Sequence, residues 1–155
     1  MTDPDGGARQ AEPDFVRIGA ADAHTAAQFR IEFSHWLQGR CATDSVRFSD
    51  VVLVVNEALA NAAEFAYVDS PHVGTMTIEA SYGAAGNRLD VSVCDHGTWR
   101  ETHPALRSNA RGRGIPLMEV LADRTTIERT ASGTVVHLQF ENVVGAGTEA
   151  FAVSV

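Results

Sequence analysis

Glu57 and Asn61 stand four residues apart in a run that is otherwise almost wholly apolar, VVNEALANAAEFAY. A spacing of four puts both side chains on one face of a helix. A carboxylate can take a proton from a hydroxyl, and an amide oxygen can ligate magnesium. If buried, both groups need partners. Taken alone, the pair reads more simply as two polar residues on a solvent face shared with Glu64.

Three further segments carry polar groups where chemistry could use them. In LDVSVCDHG, counting by twos puts Leu89, Val91, Val93 and Asp95 on one side of a strand. Asp95 thus turns a carboxylate toward the apolar side, where it wants a donor such as an adenine amino group. Gly97 then permits close approach of a ligand. In RGRGIPLMEVL, Gly112 and Gly114 precede a helix start whose free amides attract phosphate, with Arg111 and Arg113 adding charge and Pro116 tolerated in the first turn. In SGTVVHLQF, Thr134 shares a face with Val136, Leu138 and Phe140, so its hydroxyl also points to the apolar side. Each segment alone is a weak signal: DxG opens many turns, and GxG before a helix is usually only a loop.

The elements that must position these groups follow from periodicity. Residues 1–13 are rich in Gly, Asp and Pro and are expected to be disordered. Asp14 to Ile18 reads as a short strand. Ala26, Phe29, Phe33, Trp36 and Leu37 recur at helical spacing between Ala23 and Leu37, and Gly39 is expected to end that helix. Ser49 is expected to cap a buried helix running from Val51 to Tyr67. Met76, Ile78 and Ala80, then Leu89, Val91 and Val93, alternate on either side of a turn at Gly83 to Asn87, which predicts a hairpin. Gly97 to Gly114 is polar and weakly patterned, as a mobile loop would be. A short helix follows over Ile115 to Leu121, then a second hairpin, Thr125 to Thr130 and Thr134 to Phe140. The domain is expected over residues 14–141, with 142–155 as a tail or the start of another module. Grouped hairpins with intervening helices predict an α+β fold, helices packed on one face of a mixed, mainly antiparallel sheet.

Composition narrows the function classes. The 155 residues fit one domain and can bury a core without staples. A formal net charge of −8, with no lysine and no basic stripe, argues against nucleic-acid binding. No stretch has the length of a membrane span, so a cytoplasmic protein is expected. Cys41 and Cys94 have no metal-site or CxxC spacing, and Cys94 reads as a reduced thiol near the core. The six histidines show no ligand spacing.

The order of the four segments is more specific than any one of them. ExxxN on a helix, DxG ending a strand, a glycine-rich loop opening a helix, and GT opening the last strand resemble the GHKL (histidine-kinase-like) ATPases, over about Phe15 to Phe140. Within that superfamily, VNEALANAAEFAY, VCDHGTWR and RGRGIPLME look most like the anti-sigma-factor serine kinases of the RsbW and SpoIIAB type, in the version often joined to PP2C-type phosphatase and antagonist domains. The resemblance implies a two-layer α/β sandwich with ATP between helices and sheet. It implies that Asn61 ligates Mg2+, that Glu57 is the general base and that Asp95 holds the adenine with Thr134 nearby. Gly97 and Arg111, Gly112, Arg113 and Gly114 would shape the phosphate lid, with Leu117 and Met118 also contacting the nucleotide. It further implies a homodimer, a sigma factor as the sequestered partner and a STAS-domain anti-anti-sigma factor carrying the target serine.

Three departures stand out. Phe65 takes the place of a common histidine, Trp99 replaces the second glycine of a DxGxG pattern, and arginine must serve where lysine is absent. The alternative is an ATP-binding partner-switching module without kinase turnover. A sensor histidine kinase is not expected, since the segment before Phe15 is too short for a phosphoaccepting helical domain. An ATP-driven conformational machine would call for a longer chain.

Overall fold

A computed structural model describes residues 12–42, 44–65, 74–83, 86–96 and 114–145. The expected disorder at the start, the loop from Gly97 to Arg113 and the tail beyond Gly145 lie outside the described residues. The order is β1 (Phe15–Ala20), α1 (Ala23–Arg40), α2 (Ser45–Phe65), β2 (Thr75–Gly83), β3 (Arg88–Asp95), α3 (Gly114–Leu121), β4 (Arg124–Thr130) and β5 (Gly133–Phe140).

The strands form one five-stranded sheet in the order β1-β2-β3-β5-β4. Every pairing among them is antiparallel, in keeping with the expected α+β fold and its mainly antiparallel sheet. The register sorts residues by face. Ile78, Val93, Val136 and Ile127 lie opposite one another across β2, β3, β5 and β4. The first three are buried and Ile127 is partly so. Glu79, Ser92, His137 and Thr126 form the neighbouring line on the opposite face. The helices cover the first face only, which leaves Ile18 on β1 70 % exposed.

Helix α1 buries Ala26, Phe29, Phe33 and Leu37 of the expected stripe, with Trp36 partly buried against them. Its start is capped by the Asp22 carboxylate, which accepts the Thr25 N–H at 2.7 Å. That bond holds the Asp22 carboxyl below its ordinary value. Phe33 meets Phe15 edge to face at 5.8 Å, which ties the helix to β1. Gly39 does not end the helix: the chain stays helical to Arg40, and the Cys41 N–H closes the last turn on Leu37 O.

Helix α2 begins four residues earlier than Ser49. Asp44 is the cap, its carboxylate accepting the Arg47 N–H at 2.8 Å. The early start puts Arg47 on the helix, where it joins two distant segments, the turn after α3 and the end of β5. Its guanidinium donates to Asp123 Oδ2 at 2.6 Å, to Glu141 O at 2.7 Å and to Leu121 O at 3.4 Å. Burial pushes the Asp123 carboxyl up, but the Glu141 N–H and the Arg47 charge outweigh it and hold it low.

The described residues past 141 also pack on the fold. Val143 is fully buried, its N–H donates to Asn87 O at 2.8 Å, and the Tyr82 hydroxyl donates to Val143 O at 2.6 Å. Gly145 bridges to Cys41. An apolar pair in a short glycine-bounded stretch carries no periodicity, so nothing local marks it as part of the fold.

Candidate functional site

Helix α2 crosses the ends of β3 and β5, and a narrow crevice lies between them. Ala58, Asn61 and Ala62 line it from the helix, Val93 and Asp95 from β3, and Thr134 and Val136 from β5. Met118 on α3 and Ile127 and Arg129 on β4 complete the wall. Two alanines at helical spacing keep that side of the helix thin, so the floor is flat and apolar while its polar groups are few. Sites for planar organic ligands have that make-up. The crevice has a cavity volume of about 30 Å³, room for at least one water, and is not closed off from solvent.

The polar groups are buried. Asp95 is 5 % exposed and Thr134 9 %. They are register partners on β3 and β5, and the Thr134 N–H points to Asp95 Oδ1 at 3.4 Å. Two atoms of the crevice, Asn61 Oδ1 and Thr134 Oγ1, are buried without a hydrogen-bond partner among the described residues. A buried oxygen left in that condition costs about 1–3 kcal/mol. The two oxygens fit a ligand that supplies a donor or a cation.

Gly133 makes this arrangement possible. Its φ is +145°, a region that side chains rarely adopt, and a Cβ there would overlap the carbonyl oxygen of Asp95. The strands therefore close to contact where Asp95 and Thr134 pair. Sequence reading gave this glycine only a turn. Its place directly before Thr134 was the available signal, because only the register with Asp95 reveals the contact.

Of the residues expected to act, the fold brings Asn61, Asp95, Met118 and Thr134 together. Glu57 is half-buried one turn before Asn61 and is not among the crevice lining. Leu117 is half-buried and also outside the lining, while Met118 is fully buried. Gly114 is the first residue of α3, one residue before the expected start. Gly97, Arg111, Gly112 and Arg113 lie outside the described residues. Arg129 escaped notice, although counting by twos from Ile127 puts it on the inward face of β4.

Cys94 flanks Asp95 but turns to the other face. Burial first, then the charges of Asp95 and Glu79, push its thiol up, which leaves it a poor nucleophile. On that open face the Ser92 hydroxyl lies 2.9 Å from His137 Nδ1, and His137 Nε2 lies 3.9 Å from Glu128. The line resembles an activated serine. However, the neighbouring amides of β3 and β5 are spent in the sheet ladder, so no pair of donors is left to hold an oxyanion.

Among the described residues, no helix is long and apolar enough to cross a membrane, and no group of three or more His, Cys, Asp or Glu could hold a metal ion. A magnesium ion here would depend on Asn61 and on its ligand's own oxygens.

Residues 19–140 match the model of the histidine kinase-like ATPase domain family. Among solved structures, the chain resembles the RsbU and RsbW domains of Rv1364c from Mycobacterium tuberculosis, with a TM-score of 0.60 and 23 % identity. The likeness covers 83 % of this chain and 33 % of that one, so this chain spans about a third of its length. At that identity the likeness speaks for the fold: an antiparallel sheet with one helical layer.

Proposed function

Since the chain belongs to the histidine kinase-like ATPase family, we propose that it binds ATP with magnesium in the crevice and phosphorylates a serine of a regulatory protein partner. The observation that carries this reading is the pair of buried, unpartnered oxygens, Asn61 Oδ1 and Thr134 Oγ1, beside the buried Asp95. Asp95 suits an amino-group donor and Thr134 a neighbouring polar edge of the base. Asn61 Oδ1, a hard neutral oxygen, suits magnesium. Bound magnesium-ATP supplies the activated phosphoryl group and the charge neutralisation on which phosphoryl transfer depends.

The chain's own contribution is positional. Ala58, Ala62, Val93 and Val136 exclude water from the base. Met118, held on α3, closes the crevice from the side. Glu57, one turn before Asn61, accepts the proton of the partner's serine hydroxyl on its carboxylate. Gly97 and residues Arg111 to Gly114 are proposed to enclose the phosphates. The partner is a STAS-domain anti-anti-sigma factor, and the sequestered protein a sigma factor. A homodimer and a cytoplasmic site of action go with that reading. Membership in a longer phosphatase-kinase protein also fits the RsbU–RsbW likeness.

A second reading rests on Glu57 standing outside the crevice lining. An ATP-binding switch that holds its partner without transferring phosphate needs Asn61, Asp95 and Thr134 but not Glu57. Single-turnover transfer from labelled ATP to the antagonist separates the two. Under the kinase reading, Glu57→Gln keeps nucleotide affinity and slows transfer by about 10²–10⁴-fold, the usual contribution of a positioned base. Transfer at the wild-type rate removes Glu57 from that role. A wild-type protein that binds ATP yet phosphorylates no authentic partner leaves the binding switch.

A further inference from the structure

One line of the sheet ladder runs Met76, Asp95, Thr134, Arg129 across β2, β3, β5 and β4. Residues in register on neighbouring strands share a face, so all four turn toward the helix layer. The next line on that face is wholly apolar, with Val136 beside Ile127. Arg129 is the one cation lining the crevice among the described residues. Neighbouring strands lie about 4.8 Å apart, so the Arg129 backbone stands roughly 10 Å from that of Asp95, with Thr134 between. Arg129 itself is exposed on this edge strand, so its side chain stands at the rim of the crevice, within reach of a ligand seated between helix and sheet. The oxygen suited to magnesium, by contrast, comes from Asn61 on the opposing helix.

The same ladder line therefore supplies a carboxylate, a hydroxyl and a planar cation at one end of the crevice. A guanidinium in such a position stacks well on an aromatic face. Resting on the nucleotide reading above, we propose that Arg129 is a base-side contact that lies against the purine of an adenine nucleoside and not on its phosphates. Its contribution to affinity is then the same for adenosine, ADP and ATP. The phosphate end is left to other groups.

The test is titration calorimetry of Arg129→Met with adenosine, ADP and magnesium-ATP, at low and at high salt. Methionine keeps the aliphatic stem and removes the charged plane. The expected result is a loss of roughly 2- to 30-fold, the range of a partly desolvated cation–π contact. That loss is equal for the three ligands and nearly independent of salt. A loss that grows from adenosine to ATP and shrinks with salt makes Arg129 a phosphate ligand and overturns the proposal. An unchanged affinity for all three also overturns it. Arg129→Gln, planar but uncharged, repeats the comparison if the methionine variant melts early. If Asp95→Ala weakens binding while Arg129→Met does not, the nucleotide site stands and only this assignment falls. A wild-type chain that binds no adenine ligand removes both.

Discussion

Replacing Thr134 with valine should push stability and nucleotide affinity in opposite directions. The side chain is 9 % exposed, and its hydroxyl is buried without a partner. Valine has nearly the same shape and nothing to satisfy. An unpaired buried hydroxyl costs about 1–3 kcal/mol, and a single water in the crevice would recover part of that. The lower end, about 1 kcal/mol, is therefore the expected gain in the ligand-free protein. For a domain of this size that gain raises Tm by roughly 2–6 °C. With ATP bound, the same change leaves a polar edge of the ligand unpaired. Affinity should then fall by about five- to a hundredfold, the equivalent of about 1–3 kcal/mol. Because bound ligand stabilises in proportion to ln(1 + [L]/Kd), the rise in Tm on adding saturating ATP should shrink by a similar energy. Thermal melts with and without magnesium-ATP, checked by calorimetric titration, measure both quantities. A lower Tm without ATP, together with an unchanged ATP increment, would show that the hydroxyl is an ordinary structural group. The assignment of the crevice would not survive that result.

Three other outcomes follow from named contacts. Gly133→Ala should cost about 3 kcal/mol or more and abolish nucleotide binding, since a Cβ there must displace the Asp95 carbonyl; a near-native urea midpoint would mean that β3 and β5 do not meet so closely. Truncation after Glu141 should cost roughly 3–5 kcal/mol, from the burial of Val143 and its two hydrogen bonds; unchanged stability would place the boundary at 141. Arg47→Met should cost about 1–2 kcal/mol near neutral pH, a modest figure because Asp123 is 40 % exposed. The Asp123 carboxyl is held below its ordinary 3.8, so its contribution is present above that value and is lost as pH falls through the folded one. The gap between wild type and Arg47→Met should therefore narrow below about pH 4, and a gap that widened in acid would contradict the assignment.

Periodicity alone determined most of the elements and the face that each apolar residue serves. The stripe on α1 and the alternation in β2, β3 and β5 are local signals of burial, because side-chain direction repeats at 3.6 and at 2 residues. The same counting put Asp95 and Thr134 on the buried side, where both lie. Boundaries were less legible. Ser49 and Gly39 are good end signals by type, yet Asp44 caps α2 and α1 runs one residue past Gly39; Arg47 and Cys41 at those ends also reach Asp123 and Gly145.

What only the tertiary structure decided is which polar groups meet. Asn61, half-buried, turns its Oδ1 into the crevice because α2 packs over the ends of β3 and β5. Gly133 touches Asp95 because register, not spacing, brings residues 38 apart in the chain together. Arg129 joins them through the β4–β5 pairing, and Val143 enters the core through an asparagine turn more than fifty residues earlier. Period and propensity are written along the chain. Register and cross-layer contact are properties of pairs, and no single segment holds them.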